Sequence, residues 1–135
     1  MNRTKFIAEE WLKPKRATKG SAGYDFIAPK DVVIPAKWMA HFDAEVSAEV
    51  EEGYVLELYI RSSLGKQGLS LTNAVGIIDS DYRDHIHAFI SNDSTEPYVI
   101  HKGDRYMQGI IKEYFLTEDD DATGERNGGL GSTGK

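Results

Sequence analysis

Asp79, Ser80, Asp81, Tyr82, Arg83 and Asp84 form a dense cluster of groups able to do chemistry in this sequence of 135 residues. Set in a tight hairpin, Asp79 could present a carboxylate at the mouth of a pocket, as a general base or as a contact to a magnesium-bound water. Turn-forming, solvated aspartates give the same pattern. A calcium loop does not fit, because its sixth position would be Asp84 rather than glycine and its twelfth Ile90 rather than glutamate. Arg61-Ser62-Ser63-Leu64-Gly65 could hold a phosphate between a guanidinium and two hydroxyls, although a strand-end turn reads alike. No G-x-S-x-G elbow makes either serine a nucleophile. His85 and His87, two apart on an expected strand, share a face that would suit zinc. A third ligand is not evident, so solvated or core-edge histidines are the better reading. Residues 129–135, GLGSTGK, fit the phosphate-binding pattern G-x-x-x-x-G-K. That pattern needs a strand before it and a helix opening after it, and no helix is expected beyond Lys135. Gly-rich backbone N–H groups and the Ser132 and Thr133 hydroxyls still suit phosphate oxygens; an ordinary disordered tail is the alternative.

The elements that would position these groups are strands. Ala40, Phe42, Ala44, Val46, Ala48 and Val50 alternate with His41, Asp43, Glu45, Ser47 and Glu49, the signature of a strand with one buried face. Alanine and glutamate favour helix, but complete alternation outweighs that weak propensity. Glu51-Glu52-Gly53 reads as a turn, after which Tyr54, Leu56, Leu58 and Ile60 alternate again. An antiparallel hairpin is expected, delivering Arg61, Ser62 and Ser63 at its end. Further short strands are expected around Phe6 and at 24–27, 32–34, 69–73, 86–90, 98–100 and 106–115. No βαβ unit is visible, so an all-β jelly-roll β-sandwich or barrel with at most a short helix follows. One domain over residues 1–117 is expected, then a flexible arm over 118–135 that opens with the acidic run Glu118-Asp119-Asp120-Asp121.

Composition narrows the functions. The length suits a single core, since chains divide into domains beyond roughly 200 residues. With no cysteine, disulfides, thiolate metal sites and a cysteine nucleophile drop out. The net charge of −6 opposes binding to polymeric nucleic acid, which depends on many cations releasing counterions. Residues 1–20 nevertheless hold six bases and two acids, so that end could touch an acidic surface. Neither a signal peptide nor an apolar run long enough to span a membrane is visible, and a cytosolic location is expected.

Five segments, taken in order, resemble the five motifs of the trimeric dUTP diphosphatase (dUTPase) family. They are residues 22–26 (AGYDF), 61–65 (RSSLG), 73–83 (NAVGIIDSDYR), 103–108 (GDRYMQ) and 126–134 (RNGGLGSTG). The resemblance implies a β jelly roll, a homotrimer with active sites between subunits, and Mg2+-assisted hydrolysis of dUTP to dUMP and pyrophosphate. It makes Asp79 the base that activates water for in-line attack on the α-phosphorus, and Asp25 a contact to the metal through water. Asn73 would read the uracil edge with backbone groups near Gly76, Ile78 and His87, and Tyr82 would pack on the deoxyribose. Ser62, Ser63 and Gln108, with Arg61 nearby, would hold phosphate oxygens. Arg126, Leu130, Ser132 and Thr133 would close over the nucleotide from another subunit's arm, while Arg105 would serve a structural ion pair.

The sequence departs from the family at two places in the arm. Leu130 stands where an aromatic ring usually covers the uracil, forgoing stacking worth about 0.5–1.5 kcal/mol, and Arg126 sits one residue nearer the paired glycines. Asp84 also replaces a frequent glycine, in a geometry aspartate tolerates. Two other readings stay open. dCTP deaminase shares the fold and the Arg-Ser-Ser-Leu motif, but Phe89 falls where its glutamate should be. Some virus-encoded members of the family resemble this chain and also bind protein partners in a nucleotide-dependent way, which makes a regulatory role the other reading.

Overall fold

The structure, a computed structural model, describes residues 2–126. Eleven short strands run β1 (Lys5–Ile7), β2 (Tyr24–Ile27), β3 (Val32–Ile34), β4 (Trp38–Asp43), β5 (Ser47–Glu49), β6 (Tyr54–Ile60), β7 (Leu69–Leu71), β8 (Gly76–Ile78), β9 (His87–Asn92), β10 (Tyr98–Ile100) and β11 (Arg105–Glu113). A 3-10 turn at Glu10–Leu12 and one helical turn, α1 (Ser62–Gly65), complete the described elements. The strands form antiparallel sheets in the orders β2-β11-β6-β8, β4-β9-β7, β1-β5 and β10-β3. This is the expected all-β sandwich with one short helix. No helix among the described residues is long and apolar enough to cross a membrane.

Alternation places the core. Phe42, Ala44, Val46, Ala48 and Val50 are buried, and Leu56 and Leu58 of β6 face them within one cluster that also takes in Phe26, Ile90 and Tyr106. The expected single strand over 40–50 is nonetheless two. Glu45 adopts φ 58, and its N–H is capped by Asp43 Oδ1 at 2.7 Å. The kink divides the segment into β4, which pairs with β9, and β5, which pairs with β1. The expected hairpin between 40–50 and 54–60 is therefore corrected: β6 pairs with β11 and β8 instead. The tight turn closed by Tyr54 N–H on the Glu51 carbonyl at 3.0 Å carries the chain from one sheet to another. Periodicity shows which side of a strand is buried and leaves its partner open.

This topology sets out the candidate residues. In the four-stranded sheet, β8 lies at one edge and β2 at the other, with β6 and β11 between them. The segment 73–82 therefore hangs from one side of the molecule. Asp25 on β2 and Gln108 on β11 lie toward the other, directly cross-strand from each other. The end of β6 feeds Arg61 and the two serines of α1 to that same side. Residues 114–126 carry no strand or helix and are mostly exposed, with Phe115 86% accessible.

Candidate active site

The segment after β7 builds a small cavity of about 220 Å³ lined by Asn73, Gly76, Ile78, Asp79, Tyr82 and His87 among others. Asn73 is turned outward by a tight reversal. Ala74 N–H bonds the Leu71 carbonyl at 2.9 Å, and Ala74 itself sits at φ 66, a left-handed conformation that costs a Cβ-bearing residue roughly 1–2 kcal/mol. Strain of this kind is tolerated where surrounding structure enforces it and gathers at functional sites. β8 pairs only with β6 among the described strands, so one row of its backbone donors and acceptors faces the cavity side rather than a ladder. Gly76 sits cross-strand from Leu58, whose side chain would meet an added Cβ at 3.0 Å.

Asp79 opens a turn closed by Tyr82 N–H on its own carbonyl at 3.1 Å, which leaves the Asp79 carboxylate exposed at the cavity lip. The turn folds the Tyr82 ring inward to 7% exposure, and its hydroxyl donates to the His85 carbonyl at 2.6 Å. Burial pushes the Tyr82 phenol up, the charge of Asp84 adds to this, and Arg126 opposes it. Tyr82 is therefore a neutral hydrogen-bond donor that presents a ring, not an acid–base group at neutral pH. His87 Nδ1 lies 3.0 Å from His41 Nε2, and His41 stacks on Phe89 at 4.4 Å between centroids. His85 bonds Asp43 at 2.9 Å. Burial raises the Asp43 carboxyl, but the His85 hydrogen bond, the Glu45 N–H and the two histidine charges outweigh it and hold the group below its ordinary value. The two histidines thus serve separate partners, His85 exposed and His87 half-buried. Among the described residues, no group of three or more His, Asp or Glu side chains could hold a metal ion.

A second concavity, of about 300 Å³, gathers Gly23, Asp25, Arg61, Ser62, Ser63 and Gln108 with their neighbours. Gly23 lets the Gln108 amide lie against the backbone, because an added Cβ would fall 2.3 Å from Gln108 Oε1. Asp25, only 8% exposed, is paired with Arg61 at 3.2 Å and Arg105 at 3.7 Å. The ion pair expected of Arg105 is formed. The two hydroxyls and the Gln108 amide make this a polar, donor-bearing surface suited to phosphate oxygens.

The two concavities share no lining residue. The structure brings Asn73, Gly76, Ile78, Asp79, Tyr82 and His87 together, and separately Asp25, Arg61, Ser62, Ser63 and Gln108. Arg126 lies against the first group of its own chain, where the resemblance implied an arm from another subunit: its Nη2 donates to Asp79 at 2.7 Å and its Nε to Asp81 at 2.9 Å, with the guanidinium 5.7 Å from the Tyr82 ring centroid. Leu130, Ser132 and Thr133 lie outside the described residues. Sequence reasoning gave no site role to Asp81, His41 or Leu58, and marked Phe89 only as standing where a deaminase would need glutamate. Asp81 stood in plain view two residues after Asp79, whereas His41, Leu58 and Phe89 enter only through strand pairing.

The sequence profile of the dUTPase family matches residues 9–134. The chain belongs to the dUTPase family. The deoxyuridine 5'-triphosphate nucleotidohydrolase of Lactococcus lactis subsp. lactis is 38% identical over 130 residues, covering 90% of this chain and 87% of its own length. That of Paramecium bursaria Chlorella virus 1 is 36% identical over 137 residues, covering 96% and 95%. A crystal structure of the dUTPase from Streptococcus mutans superposes with a TM-score of 0.79 at 33% identity, over 84% of this chain and 98% of that one. The jelly roll is thereby established, and this dUTPase is an enzyme that hydrolyses dUTP.

Proposed function

We propose that this dUTPase converts dUTP to dUMP and pyrophosphate at sites assembled between the subunits of a homotrimer. The observation that supports this is the separation of the base-side cavity from the phosphate-side concavity within one chain. A nucleoside triphosphate needs both at once, and a closed rotational assembly lets one subunit's cavity meet another's concavity. The uracil edge pairs with the free backbone row of β8 near Gly76 and Ile78, with the backbone at His87 and with the Asn73 amide, as an added strand would pair with a sheet edge. A methyl or amino substituent finds no matching space or partner there. The face of Tyr82 lies against the deoxyribose and leaves no room for a 2′-hydroxyl. Phe89, which lines this cavity, puts a hydrocarbon where a deaminase would need a carboxylate.

In the reaction, the Asp79 carboxylate orients water and takes its proton. The oxygen forms a bond to the α-phosphorus in line with the departing group, and the electron pair of the broken bond leaves on pyrophosphate. Ser62, Ser63 and Gln108 donate to the phosphate oxygens, Arg61 stands beside them, and Arg126, Ser132 and Thr133 close from an arm over 118–135 lent by a neighbouring subunit, with Leu130 above the base. Mg2+ would suit this site as a partner of the substrate's phosphates, with Asp25, which already faces two guanidiniums, contributing to it through water. The metal supplies neutralisation of charge on the phosphates. Pyrophosphate release from dUTP, dTTP, dCTP and UTP, measured in parallel with magnesium, tests the assignment of Asn73 and Tyr82. Selectivity for dUTP of about 10²-fold or more is expected, since unpaired polar groups or steric conflict penalise each rival. Comparable hydrolysis of all four would mean that neither residue reads the substrate.

A further inference from the structure

His41 stands outside the base-side cavity yet touches two residues that line it, His87 and Phe89. It is exposed on β4, where its neighbour Phe42 enters the core, and it lies cross-strand from Phe89, whose ring it stacks on at 4.4 Å with 22° between the planes. Its Nε2 is 3.0 Å from Nδ1 of His87. Between neutral rings a single proton occupies that contact. If His41 donates it, both imidazoles carry their proton on Nε2, the form that neutral histidine side chains favour. If His87 donates it, both must take the less favoured Nδ1–H form. Asp43, directly cross-strand from His87, would reverse this preference by accepting from Nδ1, but its carboxylate is engaged by His85 at 2.9 Å and by the Glu45 N–H at 2.7 Å. The partner of one imidazole nitrogen decides what the other nitrogen offers. His87 Nε2 meets no hydrogen-bond partner among the described residues, which leaves it to whatever enters the cavity.

We infer that His41 is a positioning residue that holds the His87 imidazole as an Nε2–H donor on the cavity wall, so that the site favours a base bearing a carbonyl over one bearing an amino group. The uracil O4 accepts from such a donor. Cytosine sets amino hydrogens at the same place, and two donors then face each other without a bond. The Nε2–H adds to the backbone groups that read the uracil edge and transfers no proton. This rests on the proposed reading of the cavity, and the test separates the two. Imidazole 15N–1H spectra of the nucleotide-free enzyme at pH 8 report which ring nitrogen carries the proton, and kcat and KM for dUTP and dCTP are measured with magnesium. The chains compared are the wild type, His41→Phe, His41→Gln, His87→Ala and the double variant His41→Phe/His87→Ala. His41→Phe keeps a ring against Phe89 and removes the hydrogen bond, whereas His41→Gln returns an N–H to His87. The wild type is expected to show His87 protonated at Nε2 and bare at Nδ1, and His41→Phe to show a mixture of the two forms. In His41→Phe, KM for dUTP is expected to rise about threefold with kcat changed less than about twofold. The preference for dUTP over dCTP in kcat/KM is expected to fall about fivefold, with His41→Gln recovering most of each effect. In the His87→Ala background, His41→Phe is expected to change that preference by less than about twofold. A wild-type His87 protonated at Nδ1, or an unchanged preference in His41→Phe, overturns the inference. A wild type that hydrolyses no dUTP defeats the proposed function instead, and the spectra still report the tautomer of His87.

Discussion

Asp79→Asn is expected to lower kcat for dUTP by about 10²-fold or more while the nucleotide still binds. The substitution keeps the shape of the side chain and its place at the start of the turn closed by Tyr82 N–H, but an amide takes no proton from water. Binding survives because the groups that read the base and sugar, the β8 backbone row, Asn73 and Tyr82, are untouched. The ion pair from Arg126 Nη2 becomes a hydrogen bond from the guanidinium to an uncharged amide oxygen, so KM moves by only about a few fold. Steady-state kinetics, together with titration of a non-hydrolysable dUTP analogue, separates these effects. A kcat within about tenfold of the wild type would remove Asp79 as the base.

Asp25→Ala is expected to cost about 2–3 kcal/mol of stability and to lower Tm by roughly 5–12 °C. Asp25 is nearly enclosed, and its loss strands Arg61, which is only 31% exposed in its side chain, beside Arg105 with no carboxylate between them. Desolvating an uncompensated guanidinium is the main cost; the partial exposure of both arginines keeps it below the value for a fully buried pair. The backbone bonds between Asp25 and Lys15, at 2.8 and 3.3 Å, remain, so β2 keeps its place. Thermal and urea unfolding read the change. A loss below about 1 kcal/mol would show that Asp25 is not a structural counter-ion and would favour a role confined to the substrate's metal.

Much of the scaffold was legible because short apolar runs between turn residues specify strands locally. Residues 24–27, 32–34 and 98–100 are strands with the expected bounds. The segment 40–50 shows the limit of such reading. Its burial follows the alternation residue by residue, but the left-handed Glu45 and the pairing with β1 and β9 come from contacts far away in sequence. The site divides in the same way. Asn73 through Tyr82 are neighbours in sequence and converge as expected, held by two tight turns. Their relation to Ser62, Ser63 and Gln108 depends on which edge of a sheet each occupies. Asp81 stood in the acidic cluster without a role because its partner lies 45 residues downstream on the arm, where no periodicity joins the two.

The central claim, that each site takes its base-side half and its phosphate-side half from different chains, is tested most directly by subunit complementation. Asp79→Asn disables the first half and the double variant Ser62→Ala/Gln108→Ala the second. The two chains are co-expressed or refolded together in equal amounts and their dUTP hydrolysis is compared with that of each alone. Shared sites predict recovery to about a quarter of wild-type activity, since random assembly pairs two intact halves in about one site in four. Activity no greater than the average of the separate variants, in mixed assemblies confirmed by mass, would place both halves of each site on one chain and contradict the account.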